Sequence, residues 1–275
     1  MGDLDRDTWL EGGSGRYRAT LSPEWEVWGP NGGYLAVIAL RAAGAEAHVR
    51  RPAAFAGHYL SVARFAPVDL EVTVVHRGRR SESLRVSMRQ EGRPVLEAIV
   101  RTAAELPGLA HDTARAPEVA GPVGLKSGDE LYPGEPSFPF WKNLEVRPVD
   151  PDLWRDGRPP REPVVREWYR FRPAARFDDP FLDAGRSLLL IDTLIWPASC
   201  QRHVEPEFIA PSVDVVAWFH RPARDTGWLL CDATAPVAEG GLISGTAHIW
   251  SPARRLLASG GAQLLCVPRP PGLPG

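Results

Sequence analysis

The chain has little of what secreted, nucleic-acid-binding or zinc-binding proteins need. Its 275 residues include three cysteines, Cys200, Cys231 and Cys266, which are widely separated and form no CxxC pair. This pattern is typical of reduced thiols and indicates neither a disulfide framework nor a zinc ribbon. The 32 basic and 34 acidic side chains give a net charge near -2. Because nucleic-acid binding rests on a basic surface, we expect no nucleic-acid partner.

Long hydrophobic runs are also missing. The longest apolar stretch, residues 188–196, is interrupted by Asp192 and Thr193 and is far shorter than the roughly 20 residues that span a bilayer. The N-terminus is acidic and lacks the basic segment and apolar core of a signal peptide. These absences predict a cytoplasmic protein with no membrane contact.

Motifs of several enzyme classes are absent as well. The chain has no GxSxG nucleophile elbow and neither GxxxxGK[ST] nor GxGxxG for a nucleotide. Its histidines and cysteines do not cluster at the spacing of metal ligands. We therefore expect no serine α/β-hydrolase, no metal ion and no cofactor.

The first half of the sequence predicts one long helix followed by an antiparallel meander. Residues 32–43 are mostly apolar and follow Pro30-Asn31, which favours a helix start. Apolar and polar residues alternate in three later segments, and Glu91-Gly92 is typical of a hairpin turn. The predicted strands are 17–21, 68–75, 84–88 and 94–100.

The second half repeats this order. An apolar helix is predicted from about 181 to 196, with Pro180 in its first turn and Pro197 ending it. The predicted strands are 144–149, 164–171, 211–220, 228–234, 242–250 and 256–267. Between the halves, residues 105–139 are rich in proline, glycine and small polar residues, which indicates a linker over the surface.

The two halves indicate an internal duplication. Segment 92–96 corresponds to 253–257, an offset of 161. A helix that is apolar on most faces must be enclosed, and a curled antiparallel sheet can enclose it. We predict an α+β fold with an N-terminal unit (1–104), a linker (105–139) and a C-terminal unit (140–275), each unit wrapping a long helix in a sheet.

Six segments make the chain resemble the acyl-CoA thioesterase II (TesB-like) superfamily, which has the double hotdog fold. The resemblance extends in order along nearly the whole chain. The segments are 28–36 (WGPNGGYLA), 58–60 (HYL), 188–197 (LLLIDTLIWP), 210–214 (APSVD), 218–222 (WFHRP) and 256–266 (LLASGGAQLLC).

The resemblance implies which residues hold the water that attacks a thioester. The family uses an Asp on the second helix, a Ser or Thr on the next strand and a Gln on the last strand. The first two positions fall on Asp192 and Ser212, whereas the Gln position falls on Ala262. A bulge at Gly260-Gly261 would turn the neighbouring Gln263 to the site, so we take Gln263 as the third candidate.

Asp192 and the strand after it have structural interpretations too. Asp192 lies among apolar residues, where a buried carboxylate needs hydrogen bonds or protonation, so it is either catalytic or a bonded structural group. Ser212 is either a water-holding hydroxyl or an ordinary strand-end residue. Asp214, two positions on, would share a face with Ser212 and either contacts substrate or pairs with Arg221.

The substrate-binding candidates are residues of the first half. Asn31, Gly32, Gly33 and Tyr34 open the first helix, whose exposed amides suit an oxyanion or a phosphate. Close packing of the glycines is the alternative, and the corresponding helix end near Asp183 is a competing location. His58 joins this group through the HYL segment.

The resemblance implies a cytoplasmic hydrolase of fatty acid metabolism that converts acyl-CoA, or an acyl carrier, to free acid and thiol. Coenzyme A would enter only as part of the substrate. Ala262 motivates two alternatives, a non-catalytic acyl-thioester binding module and a pathway-specific enzyme acting on the acyl group. Association into a homo-oligomer stays open, because one chain supplies both units.

Overall fold

The computed structural model describes residues 1–134, 136–204 and 206–272. The helices are α1 (Leu4–Asp7), α2 (Gly32–Glu46), α3 (Gly128–Leu131), α4 (Pro180–Thr193) and α5 (Ile195–Arg202). The strands are β1 (Glu11–Gly13), β2 (Arg16–Thr20), β3 (Pro52–Tyr59), β4 (Pro67–Arg77), β5 (Ser81–Gln90), β6 (Arg93–Ala103), β7 (Leu144–Pro148), β8 (Val164–Phe171), β9 (Phe208–Ile209), β10 (Ser212–Phe219), β11 (Leu229–Glu239), β12 (Leu242–Trp250), β13 (Leu256–Leu265) and β14 (Val267–Pro268).

Twelve of these strands form one sheet, in the order β1-β2-β4-β5-β6-β3-β10-β13-β12-β11-β8-β7. Strands of the first half occupy one side of this order and strands of the second half the other. The halves join where β3 pairs antiparallel with β10. The remaining strands, β9 and β14, pair with each other.

The predicted meander and hairpin are confirmed. Strands β4, β5 and β6 pair antiparallel in sequence order. Their last turn has positive φ at Glu91 (51°) and Gly92 (80°), and Gln90 pairs with Arg93 across it. Two central residues with positive φ match the right-handed twist of the flanking strands, which explains the glycine.

The two long helices pack against each other in opposite directions. The start of α2 lies against the end of α4, where a Cβ on Gly33 would stand 2.8 Å from the Leu189 backbone. At the other end, a Cβ on Gly44 would stand 2.5 Å from the Phe181 ring. Helix α2 also contacts β3 to β6, and α4 contacts β10 to β13. The helix pair therefore forms the core of the molecule.

The second predicted helix needs two corrections. The chain is interrupted at Leu194, and α5 begins at Ile195. Pro197 does not end the helix, because it lies in the first turn of α5, where no intrahelical N–H donor is required. The interruption leaves Asp192 in the last turn of α4.

The predicted constant offset between the halves is wrong for the helices. Ser212 begins β10 160 residues after Pro52 begins β3, whereas Pro180 begins α4 148 residues after Gly32 begins α2. Loops of unequal length separate helix from strand in the two halves. Equivalent positions must therefore be found element by element.

Residues 114–125 of the linker cross the outer face of the second half of the sheet. Outward-facing Trp168, Leu230 and Trp250 form a small cluster that residues of 114–125 cover. The Trp168 Nε1 donates to the Ala120 carbonyl at 2.9 Å. In the part of the chain that the structure describes, no helix has both the length and the apolar character to cross a membrane.

Candidate active site

Asp192 lies at the end of the helix pair where α2 begins. It is only 2% exposed, and its Oδ2 would lie 2.8 Å from a Cβ on Gly32. The N-terminus of α2 carries a partial positive charge that favours an anion there. The fold thus places one buried carboxylate against the first turn of the other helix.

Three donors surround this carboxylate. The Tyr59 hydroxyl donates to Asp192 Oδ1 at 3.1 Å, and the Ser212 hydroxyl and the Gly33 amide also hydrogen-bond to it. Burial raises the pKa of the Asp192 carboxyl to about 6, although these three hydrogen bonds lower it. The group can therefore change its protonation state near neutral pH, as a general base must.

Tyr59, rather than the predicted His58, faces the site. In β3 the side chains of Phe55, Gly57 and Tyr59 point to the core, whereas His58 is exposed on the outer face. The prediction for His58 is therefore wrong, by one position in a strand. Burial, followed by the charge of Asp192, holds the pKa of the Tyr59 hydroxyl well above its usual range, so this hydroxyl stays protonated and donates.

Asn31 connects the two helices at this end. Its Oδ1 accepts from the Tyr34 amide at 2.9 Å, which caps α2. Its Nδ2 donates to Thr193 Oγ1 at 3.1 Å, beside Asp192. The structure therefore brings Asn31 to the site as a positioning residue.

The two glycines that open α2 do different things. Gly33 permits close packing on the other helix and gives its amide to Asp192. A Cβ on Gly32 would meet the Asp192 carboxylate and, at 3.2 Å, the Tyr59 hydroxyl. Within the described residues, nothing accepts a hydrogen bond from the Gly32 amide. Gly32 thus brings a free donor close to the carboxylate, at a position where a side chain would not fit.

Ser212 and Asp214 do not share a face, contrary to the prediction. Ser212 pairs with Leu264 and Asp214 with Gln263, so Val213 is an extra residue in a bulge. The bulge turns Ser212 toward Asp192. Asp214 instead accepts from the Gln263 amide at 3.1 Å, although its charge also raises the pKa of Asp192.

Gln263 lies outside the site, so its predicted role is wrong. The pairing of β13 with β10 and β12 is regular through Gly260 and Gly261, and the expected bulge is absent there. Gln263 is exposed and donates through Nε2 to Ser244 Oγ at 3.0 Å. Ala262 faces the core and is 4% exposed.

Tyr34 and Asp183 are structural. The Tyr34 hydroxyl donates to the Asp7 carbonyl at 2.5 Å, and its ring stacks on Trp25 at 5.4 Å. This hydroxyl is therefore bonded away from Asp192, and the role of Tyr34 in substrate binding stays a prediction. Asp183 pairs with buried Arg186 and accepts from the Ala223 amide at 2.8 Å.

Sequence reasoning missed Tyr59 as part of the candidate site. Period-two alternation from buried Phe55 would have placed Tyr59 inward. Trp28 and Trp196 are near Asn31 and Asp192 in sequence, and their ring centroids are 5.5 Å apart in an edge-to-face arrangement. The buried Trp28 Nε1 has no partner among the described residues.

The opposite end of the helix pair lacks these groups. Gly44 is equivalent to Asp192, and Phe181 is equivalent to Gly33. Phe219 and Pro52 stand where Tyr59 and Ser212 would be. Across the described residues, no three His, Cys, Asp or Glu side chains are close enough to bind a metal ion. Among the described residues, this combination of groups therefore occurs at one end of the helix pair.

Three solved structures resemble the whole chain. A hot dog fold protein of unknown function from Alicyclobacillus acidocaldarius has a TM-score of 0.81 at 20% identity, covering 97% of this chain and 98% of the other. The tesB protein of Mycobacterium avium subs paratuberculosis has 0.78 at 20%, covering 96% and 98%. The acyl-CoA thioesterase II TesB2 of Mycobacterium marinum has 0.77 at 22%, covering 99% of each. These likenesses show the fold.

Family profiles match both halves of the sequence. The acyl-CoA thioesterase N-terminal domain matches residues 21–103, and the acyl-CoA thioesterase C-terminal domain matches residues 113–267. No curated protein matches the sequence. The profiles cover most of the chain and agree with the fold. The chain therefore belongs to the TesB-like acyl-CoA thioesterase family of hotdog proteins.

Proposed function

We propose that the protein hydrolyses acyl-CoA thioesters, or acyl carriers, with a water molecule that Asp192 orients and deprotonates. The observation that carries this proposal is the buried carboxylate with a pKa of about 6, held by three donors beside a free amide. A carboxylate with this pKa is largely ionised at pH 7 and still basic enough to accept a proton.

Each group has a defined task in the proposed reaction. Because Tyr59 donates to Asp192 Oδ1, the water would bind to Oδ2, next to the amide of Gly32, with the thioester carbonyl against that amide. The water oxygen attacks the carbonyl carbon while Asp192 takes its proton. The Gly32 amide stabilises the developing oxyanion. The C–S bond then breaks, and the proton passes to the leaving thiolate, giving free acid and thiol.

Tyr59 would orient the proposed base in a site that lacks the family's Gln. Ala262 faces the core but has no polar group, whereas the Tyr59 hydroxyl reaches the same carboxylate from β3. Trp28 and Trp196 would then form an apolar wall for the substrate. The reaction needs no metal ion or cofactor, because every acting group belongs to the protein, the substrate or water.

The fold and location belong to the same proposal. Residues 1–104 and 140–275 would be tandem hotdog units joined by the linker 105–139, and the protein would act in the cytoplasm in fatty acid metabolism. Each unit contributes one helix and one central strand to the site. A single chain thus supplies the complete site, and homo-oligomerisation is not required for it.

The test is thiol release from acyl-CoAs of short to long chain, with the product acid identified by mass. We expect turnover in the wild type, its collapse in Asp192→Asn and no gain in Ala262→Gln.

The missing Gln also supports the rival function, an acyl-thioester binding module. Saturable binding without turnover, together with a gain of hydrolysis in Ala262→Gln, would establish that rival instead. An altered acyl product in place of free acid would indicate a different acyl transformation.

A further inference from the structure

An open cavity of about 440 Å³ lies at the end of β10 that is opposite Ser212. Its lining comes from the residue before β3, the end of β10, the start of β13 and the linker: Arg51, His111, Asp112, Thr113, Ala114, Phe219, His220, Arg221 and Leu256. Strand β10 runs from Ser212 at the candidate active site to Phe219 in this cavity. Eight extended residues put the two places roughly 23 Å apart.

This cavity cannot repeat the proposed hydrolysis. Gly44 and Phe219 replace the carboxylate and the tyrosine. The Asp179 Oδ1 accepts from the amides of Phe181 and Leu182, so the first turn of α4 has no free donor at those positions. The lining is mainly polar, which does not suit an acyl chain. A different ligand must fit it.

The charge of the cavity favours an anion. Arg51 is exposed, and within the described residues its guanidinium has no hydrogen-bond or ion-pair partner. Arg221 donates to the Leu256 carbonyl and to Asp112 Oδ2, both at 2.9 Å. Burial, followed by the charge of Arg221, lowers the pKa of the His220 imidazole, which favours its neutral form. Two arginines therefore face one carboxylate.

Asp112 forms an ion pair with Arg221 and so takes the position that an external anion would bind. It belongs to the linker and is 39% exposed, and its other oxygen accepts only from the nearby Ala114 amide at 3.2 Å. An exposed ion pair of this kind is worth about 1 kcal/mol or less. A stronger anion can therefore displace Asp112 from Arg221 at little expense.

We propose that this cavity is a second binding site, which takes a diphosphate group between Arg51 and Arg221. Guanidinium forks match phosphate oxygens in pairs, and two of them suit a group with two phosphates. The volume exceeds what one small anion fills and lies in the range of small-ligand sites. The diphosphate comes either from a nucleotide such as coenzyme A or from free pyrophosphate.

Calorimetric titration of the full chain with pyrophosphate, ADP and coenzyme A tests this site without any measurement of hydrolysis. We expect saturable pyrophosphate binding whose Kd rises about tenfold in Arg51→Gln and falls severalfold in Asp112→Asn. Binding should also weaken as salt is added. Arg85→Gln is the matched control, because Arg85 is an exposed arginine in the middle of β5.

The three ligands separate the two sources. Tighter binding of ADP and coenzyme A than of pyrophosphate, lost in Arg51→Gln, identifies a nucleotide diphosphate. Equal affinity for all three identifies the diphosphate alone. If none of the three binds saturably, or if Arg51→Gln and Arg85→Gln bind pyrophosphate as the wild type does, the site does not exist.

Discussion

The two ends of the antiparallel helix pair are made of equivalent elements and carry different chemistry. At one end Asp192 meets the hydroxyl of Tyr59 and the amide of Gly33. At the other end Gly44 and Phe181 meet, and a Cβ on that glycine would lie 2.5 Å from the ring. The fold thus provides two helix-end junctions, and a few side chains decide which of them holds a buried carboxylate with its donors.

The capping residues of α2 and α4 explain why the two ends of the helix pair differ in their free hydrogen-bond donors. Asp179 binds two amides of the first turn of α4 through one carboxylate oxygen. Asn31 binds only the third amide of α2 and leaves the first two for the site. A buried anion is tolerated only where donors compensate its desolvation. The first end keeps such donors for Asp192, and the second end uses them for its own cap.

The largest effect should come from Asp192→Asn, which removes the proposed base without changing its size. We expect kcat/KM for acyl-CoA hydrolysis to fall by about 10³. Asp179→Asn at the other end is the control, because Asn also caps helices, and its kcat/KM should stay within about twofold. Steady-state thiol release measures both variants. Equal losses in the two variants would contradict the distinction between the ends.

The same variant should be more stable than the wild type at alkaline pH. The folded-state pKa of Asp192, about 6, exceeds the ordinary 3.8, so its contribution to stability is fully present below pH 4 and is lost as pH rises through 6. The shift corresponds to about 3 kcal/mol in the free energy of unfolding. Denaturant unfolding of Asp192→Asn should show a gain near pH 8 and almost none near pH 4. A gain that is independent of pH would contradict the raised pKa.

The kcat/KM for hydrolysis should fall at acidic pH as Asp192 becomes protonated. Because the ionised carboxylate is the acting form, kcat/KM should rise with pH and level off above about 6. At pH 4, two units lower, it should be about 100-fold below the plateau. A pH profile measured on protein that remains folded over the range checks this, and a flat profile would exclude Asp192 as the base.

Tyr59 and Phe219 hold equivalent positions at the two ends of the helix pair. Exchanging the two residue types tests the hydrogen bond of 3.1 Å from Tyr59 to Asp192. Tyr59→Phe should lower kcat/KM by about tenfold to thirtyfold, since a bond to a charged group is lost. It should also move the acidic limb to higher pH, because the Tyr59 bond lowers the pKa of Asp192. The matched change Phe219→Tyr should leave both unchanged. If Tyr59→Phe keeps the wild-type profile, Tyr59 is only a packing residue.

The smallest effect is expected at the non-catalytic end. In Gly44→Ala the new methyl group would press on the Phe181 ring, and overpacking of this kind costs about 1–3 kcal/mol of unfolding free energy, partly offset by higher helix propensity. Thermal unfolding should show the loss, while KM stays near that of the wild type. Gly13→Ala is the control, because a Cβ there meets nothing within 4 Å.

Prediction from sequence succeeded where local patterns repeat. The alternation of apolar and polar residues predicted the strands of the meander, and the apolar run after Asn31 predicted α2. It failed where one residue of register decides which face a side chain occupies. His58 and Gln263 each lie one position from an inward-facing residue, Tyr59 and Ala262 respectively. The bulge occurs at Val213 rather than at the glycines of β13, and local composition does not reveal which strand carries it.

Periodicity did not predict the central strand β3. The sequence did predict most of the other strands, helix α2, the likeness to the family and, through that likeness, Asp192. These follow from periodicity and motif order, which are properties of short segments. Only the tertiary structure decided which donors meet Asp192, because Tyr59, Ser212 and Gly33 come from β3, β10 and α2, which lie far apart in the chain. The pKa of Asp192 depends on burial and on these contacts, and both exist only after the two halves have packed together.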